Sequence, residues 1–144
     1  MIRERSARRR AILTGVFGLA ALGPSACGTP GAPADPGVCW RATAARNGRP
    51  AFAVLARNVA TLDDCAAELE ALHLMGAREV RGAFQGYFIH IDARQVASST
   101  QPDGFGYPIF QPGQRKEIDA DLTALIKARA GKPPSAGDIS VERK

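Results

Sequence analysis

The sequence predicts an α+β fold in which a small antiparallel sheet of two hairpins carries one or two helices on one face. Three observations predict it: two stretches in which turn residues separate strand-like runs, an apolar stripe at helical spacing after each of them, and glycine or proline between the units. A chain of 144 residues suits one domain. We therefore predict a single domain over residues 38–131 and a disordered tail over residues 132–144.

The first hairpin is predicted from an Asn-Gly pair. Residues 38–46 and 49–59 are strand-like and flank Asn47 and Gly48, which suit the positive φ values of a two-residue turn. Pro50 lacks a backbone N–H, so we expect an edge position near the turn. The predicted register pairs Trp40 with Leu55 and Arg41 with Val54, and places Cys39 on the face of Phe52 and Val54.

The best-defined helix is predicted over residues 61–75. Thr61 suits the N-cap, acidic residues follow it in the first turn, and Gly76 suits the C-terminal end. Cys65 lies on the apolar stripe of this helix and is expected to face the sheet. The stripe consists of Leu62, Cys65, Ala66, Leu69, Leu72 and His73.

The second hairpin is predicted over residues 79–92, with its turn at Gln85 and Gly86. The alternative is one long strand with a glycine bulge. The hairpin register places Phe84 with Tyr87, Gly82 with Ile89 and Val80 with Ile91 on one face, and Arg81 with His90 and Ala83 with Phe88 on the other.

Residues 93–114 have no dominant periodicity and are predicted to form a long loop, in which residues 107–110 are the best candidate for a short strand. Three aromatic residues of this loop, Phe105, Tyr107 and Phe110, either pack over the sheet as a lid or contact a partner. A second helix is predicted over residues 115–130. Its stripe consists of Ile118, Leu122, Leu125 and Ile126.

The first 26 residues have the pattern of an export signal. Arginines precede an apolar run over residues 11–22, and small residues follow it. This run is shorter than the roughly twenty apolar residues that a membrane-spanning helix needs. The next segment, residues 27–37, is rich in proline, glycine and alanine and is predicted to be a flexible tether.

Two short motifs in this region resemble known bacterial signals. Arg9-Arg10-Ala11-Ile12-Leu13 resembles a twin-arginine translocation signal, and Pro24-Ser25-Ala26-Cys27 resembles a lipobox. The resemblance implies a protein of the bacterial periplasm that is attached to the membrane by a lipid on Cys27. Two alternatives remain open: cleavage after Ala32-Pro33-Ala34, and an uncleaved signal that serves as a membrane anchor.

The signal also changes how the three cysteines are counted. Cys27 is either lipidated or removed, so Cys39 and Cys65 are left as a pair in the folded domain. In an oxidising periplasm we expect these two to form a disulfide, worth roughly 3 kcal/mol in the chain-entropy model.

The net charge of +5 belongs mostly to the signal, because the first 26 residues contain five arginines and one glutamate. The remaining chain is almost neutral and its charges are mixed, so the sequence argues against nucleic-acid binding.

Candidate chemistry is sparse in this sequence. Cys39, Cys65, His73 and His90 are ligand types that zinc uses, but their spacing is not that of a zinc motif, and we predict no metal or cofactor. His90 and Asp92 lie on the same side of a predicted strand and are the best acid-base pair.

We therefore predict a non-enzymatic binding or assembly module of the cell envelope, with a protein partner. The alternatives are an accessory subunit of a membrane complex, anchored by an uncleaved signal, and a small periplasmic enzyme that uses His90 and Asp92.

Overall fold

The computed structural model describes residues 31–44, 50–129 and 132–133. Three predictions concern residues outside these ranges: the signal over residues 1–26, the lipidation of Cys27, and the turn at Asn47 and Gly48. Most of the predicted tail also lies outside them.

The described residues form an antiparallel sheet of six strands and two helices, which confirms the predicted α+β class. The sheet order is β2-β1-β3-β4-β5-β6, so β2 is an edge strand, as the position of Pro50 suggested. In chain order the elements are β1 (Val38–Thr43), β2 (Ala51–Arg57), α1 (Leu62–Leu74), β3 (Val80–Phe84), β4 (Tyr87–Ile91), β5 (Val96–Ser99), β6 (Tyr107–Pro108) and α2 (Gln114–Ala128).

The β3–β4 hairpin has the register that the sequence predicted. Phe84 pairs with Tyr87 across the turn, and the remaining pairs follow without a bulge to Val80 and Ile91. Both turn residues have positive φ, 46° at Gln85 and 86° at Gly86, as a two-residue hairpin turn of the primed type requires. The alternative of one long strand is therefore wrong.

The predicted register of the β1–β2 hairpin is wrong by one residue over most of its length. Trp40 pairs with Val54 where Leu55 was predicted, and Arg41 pairs with Ala53 where Val54 was predicted. Phe52 and Val54 therefore lie on the face of Trp40 and not on that of Cys39.

A bulge between Cys39 and Trp40 explains the shift in register. Beyond it, Cys39 pairs with Ala56, which is the register that the two-residue turn predicted. The extra residue allows Leu55 and Ala56 to pack together against the core. The register of this hairpin therefore depends on packing against the rest of the domain and not on the turn alone.

The predicted long loop contains two strands, of which only one was foreseen in part. Strand β5 was assigned to the loop, whereas it pairs with β4 along its whole length. Strand β6 covers only the first two residues of the predicted strand over residues 107–110, and pairs with β5. The sheet is therefore wider than two hairpins.

Helix α1 packs on the sheet and carries the predicted disulfide. Thr61 caps its N-terminus by accepting a hydrogen bond from the backbone N–H of Asp64. Cys65 of α1 is bonded to Cys39 of β1, with 5.4 Å between their Cα atoms. Both cysteines are fully buried in the core cluster, so the predicted disulfide fastens helix to sheet.

Helix α2 packs mainly on α1 rather than directly on the sheet. Leu122 is the most buried residue of its predicted stripe, and Ile118 reaches the core cluster. The guanidinium of Arg115 donates to the buried carboxylate of Glu70 through Nε at 3.2 Å and Nη2 at 2.8 Å. Helix α1 is thus covered on one side by the sheet and on another by α2.

Part of the predicted tether is hydrogen-bonded to the domain. The backbone N–H of Gly86 donates to the carbonyl oxygen of Pro33 at 2.9 Å, and that of Val59 donates to Gly37 at 3.0 Å. These bonds attach residues 33–37, so ordered structure extends N-terminally of the predicted domain start at Val38.

Candidate functional site

The face of the sheet opposite the helices contains the candidate site. Side chains alternate along each strand, and α1 contacts the face of Cys39 and Ile89. No helix of the described residues covers the other face. That uncovered face carries Trp40, Ala42, Phe52, Arg81, Ala83, Phe88, His90 and Ala97.

Residues 100–106 fold over this face and form one side of a half-open cavity of 270 Å³. Its apolar part is made by Phe52 and Phe88, whose ring centroids are 6.3 Å apart, together with Ala42 and Ala97. Arg81, His90 and Asp103 are the ionisable residues that line it. The cavity thus combines an aromatic wall with a polar end.

Three contacts hold the loop over the sheet. Gly106 lies against Ala97, since a Cβ built on Gly106 would approach the Ala97 Cβ to 2.7 Å. The Ser99 hydroxyl donates to the carbonyl oxygen of Gln101 at 2.5 Å. Arg81 Nη1 donates to Asp103 Oδ1 at 3.4 Å. Ser99 therefore has a structural contact within the loop.

Charged side chains cluster at the polar end of the cavity. Arg81 Nε donates to Glu79 Oε1, and His90 Nε2 lies 3.3 Å from the same oxygen. The hydrogen bond from Arg81 lowers the pKa of Glu79 below its ordinary value. Glu79 therefore stays ionised and holds the Arg81 side chain in place beside the cavity.

The predicted acid-base pair is not joined by a hydrogen bond. His90 Nε2 is 3.9 Å from Asp92 Oδ2. Asp92 Oδ1 accepts hydrogen bonds from the backbone N–H groups of Arg94 and Gln95, at 2.7 and 2.9 Å. Those two bonds lower the pKa of Asp92. Asp92 thus shapes the turn between β4 and β5, and Glu79 is the acid closer to His90.

The three aromatic residues proposed for partner binding have different environments. Phe105 is 99% exposed and Tyr107 is 76% exposed, whereas Phe110 is 8% exposed and belongs to the core cluster. Phe110 therefore acts as a core residue in this structure. Phe105 and Tyr107 remain the two residues of the prediction that a partner can reach.

The four side chains considered for zinc do not converge on one site. Cys39 and Cys65 are joined to each other, and His73 Nδ1 is 2.7 Å from the carbonyl oxygen of Ala77 at the end of α1. Over the part of the chain that the structure describes, no three His, Cys, Asp or Glu side chains are grouped as metal ligands.

Sequence reasoning missed most of this cavity. The predicted register already placed Arg81, His90 and Phe88 on one face, but the role considered there was the acid-base pair of His90 and Asp92 and not a cavity. Asp103 and residues 100–106 were left in an irregular loop, because the return of the chain over the sheet depends on β5. Asp92 was the sequence feature that could have indicated β5, because an aspartate often accepts backbone hydrogen bonds in a tight turn between two strands.

Comparisons with known proteins give no family for this chain. No protein-family model matches it, and neither the curated proteins nor the solved structures contain a match. Among the described residues no helix is long and apolar enough to cross a membrane. The disulfide indicates an oxidising, non-cytoplasmic compartment.

Proposed function

We propose that this chain is an exported protein of the bacterial cell envelope, and that its domain is a non-enzymatic binding module. The cavity on the uncovered face carries this proposal. A pocket with an aromatic wall and a few polar groups is the usual form of a ligand site. Ser99 in its lining is hydrogen-bonded within the loop, and Asp92, which lies outside the lining, holds the turn between β4 and β5.

The exposed loop beside the cavity supports a protein partner as a further part of this function. Phe105 is a large, exposed aromatic residue on the segment that folds over the cavity, and Tyr107 follows it at the start of β6 and is also exposed. Aromatic side chains are enriched where proteins bind one another, since they bury much area at little cost in conformational entropy. We assign partner binding to these two residues.

The attachment of Pro33 supports lipidation at Cys27 over cleavage after Ala34. Cleavage there would remove Pro33 and with it the carbonyl group that accepts the Gly86 hydrogen bond. A chain that begins at Cys27 keeps this contact. We therefore propose a lipoprotein on the periplasmic side of a membrane, in which residues 27–32 link the lipid to the domain.

Intact-mass spectrometry of the protein purified from a bacterial envelope tests this proposal. We expect a chain that begins at Cys27 and carries diacylglycerol and fatty acid on that residue. The Cys27→Ser variant is the matched control and should lack the lipid.

Two results of this measurement would contradict the lipoprotein proposal. A mass that begins at Asp35 would indicate a soluble periplasmic protein, and a mass that includes residues 1–26 would indicate an uncleaved signal and an anchored subunit.

A further inference from the structure

The polar end of the cavity is built around Arg81. Its side chain is 50% exposed, and Glu79 holds it from outside the cavity lining. A guanidinium has five N–H donors in one plane, and the bonds to Glu79 and Asp103 use two of them. Donors of a permanent cation therefore remain available at the cavity.

A carboxylate of the chain itself already lies against Arg81. Asp103, on the loop over the cavity, brings a carboxylate oxygen to 3.4 Å from Arg81 Nη1, although its side chain is 86% exposed. That distance is long for a charge-assisted hydrogen bond, so a better-placed carboxylate can displace it. Asp103 thus occupies the position of a ligand's carboxylate without filling the cavity.

The rest of the cavity suits an apolar body. Phe88 is buried and Phe52 is partly buried, and the two rings form one continuous wall with Ala42 and Ala97. His90 is on the same face as Arg81 and directly opposite it in the sheet. Its imidazole adds a second polar group next to the guanidinium.

We propose that this cavity binds a small organic carboxylate with an aromatic or short aliphatic body. The carboxylate pairs with Arg81 in place of Asp103, and the apolar body lies against Phe52 and Phe88. This inference rests on the proposed function as a binding module, and it names the ligand class of that module.

The test is a titration of the envelope-purified protein with hydrocinnamate, followed by heteronuclear NMR. We expect chemical-shift changes at the backbone amides of Ala97, Gly104 and Gly106, which line the cavity. Two probes of the same shape are the controls: the neutral amide hydrocinnamide and the cation phenethylammonium. The carboxylate should bind about tenfold more tightly than the amide, since the pairing with Arg81 is charge-assisted.

Three variants connect binding to the assigned residues. Arg81→Gln should weaken hydrocinnamate binding about tenfold. Asp103→Asn should strengthen it a few-fold, because it removes the competing carboxylate from a highly exposed position. Arg57→Gln is the charge-matched control, since Arg57 is exposed at the end of β2 and does not line the cavity; it should leave affinity unchanged.

Three outcomes would overturn the carboxylate proposal. One is the absence of shift changes at the cavity with hydrocinnamate. The second is binding in which the amide or the cation equals the carboxylate. The third is hydrocinnamate binding that Arg81→Gln weakens no more than Arg57→Gln does. The mass measurement on Cys27 is independent of these outcomes, so the export proposal and the ligand proposal fail separately.

Discussion

At the scale of single residues, Glu70 shows how a charge is kept inside the domain. Its side chain is fully buried, and Oε1 accepts both bonds from Arg115. Arg115 Nη2 also donates to the carbonyl oxygen of Asp92 at 2.7 Å, so one guanidinium joins α1, α2 and the end of β4. Burial raises the pKa of Glu70 above its ordinary value, although the hydrogen bond to Arg115 opposes this.

We expect the stability of the protein relative to Glu70→Gln to increase as the pH falls. Between the raised pKa of Glu70 and the unfolded value of 4.5, the folded chain binds more protons than the unfolded chain, so its free energy of unfolding rises with acidification. The Glu70→Gln variant has no carboxyl group at this position and therefore takes up no proton there. Urea denaturation of both proteins from neutral pH down to 4.5 measures the difference.

The difference in the free energy of unfolding between the two proteins reports on the titration of Glu70. The lowered pKa values of Glu79 and Asp92 have the opposite effect, since their stabilisation is lost in acid, but they are present in both proteins. Arg115, Asp119 and His73 are the charged or titratable neighbours of Glu70 and are also retained. Parallel stability profiles would show that Glu70 binds no additional proton on folding.

At the scale of elements, local patterns predicted what local contacts determine. The β3–β4 hairpin and α1 were predicted closely, because the turn residues, the alternation and the N-cap of Thr61 all lie within or next to them. The predicted β1–β2 register was wrong, because the bulge depends on how Leu55 and Ala56 pack against residues far away in the sequence. Strand β5 has small side chains and only one large aliphatic residue, Val96, so it has little pattern to detect.

The packing of α1 on β3 depends on Gly82, and we expect Gly82→Ala to destabilise the protein by about 1–3 kcal/mol. A Cβ at this position would collide with the Leu69 side chain of α1 and with the backbone carbonyl oxygen of Trp40. The backbone of β1 cannot move aside without disturbing its pairing with β3. Gly31→Ala is the matched control, because no atom lies within 4 Å of a Cβ built there.

Urea denaturation of both glycine variants checks this prediction. Equal stability of Gly82→Ala and Gly31→Ala would contradict the close approach of α1 to the sheet.

At the scale of the whole molecule, the sequence pattern did not predict how the helices and the sheet are layered. Glu70 lies off the predicted stripe of α1, yet it is fully buried because α2 covers that side. The position of α2 depends on Arg115 and Phe110, which meet residues far away in the chain. The candidate cavity has the same origin, since Asp103 reaches Arg81 only when the loop returns over the sheet.

The disulfide joins the layers, and we expect its reduction to lower the free energy of unfolding by about 3 kcal/mol. Cys39 and Cys65 are fully buried and 26 residues apart, so the bond restricts the unfolded chain more than it adds native contacts. Urea denaturation with and without a strong reductant measures the loss in the unaltered protein. The double variant C39A/C65A should be insensitive to the reductant, because it has no bond to break in the domain. If the reductant lowered the stability of both proteins equally, or of neither, the cross-link would not supply the expected stabilisation.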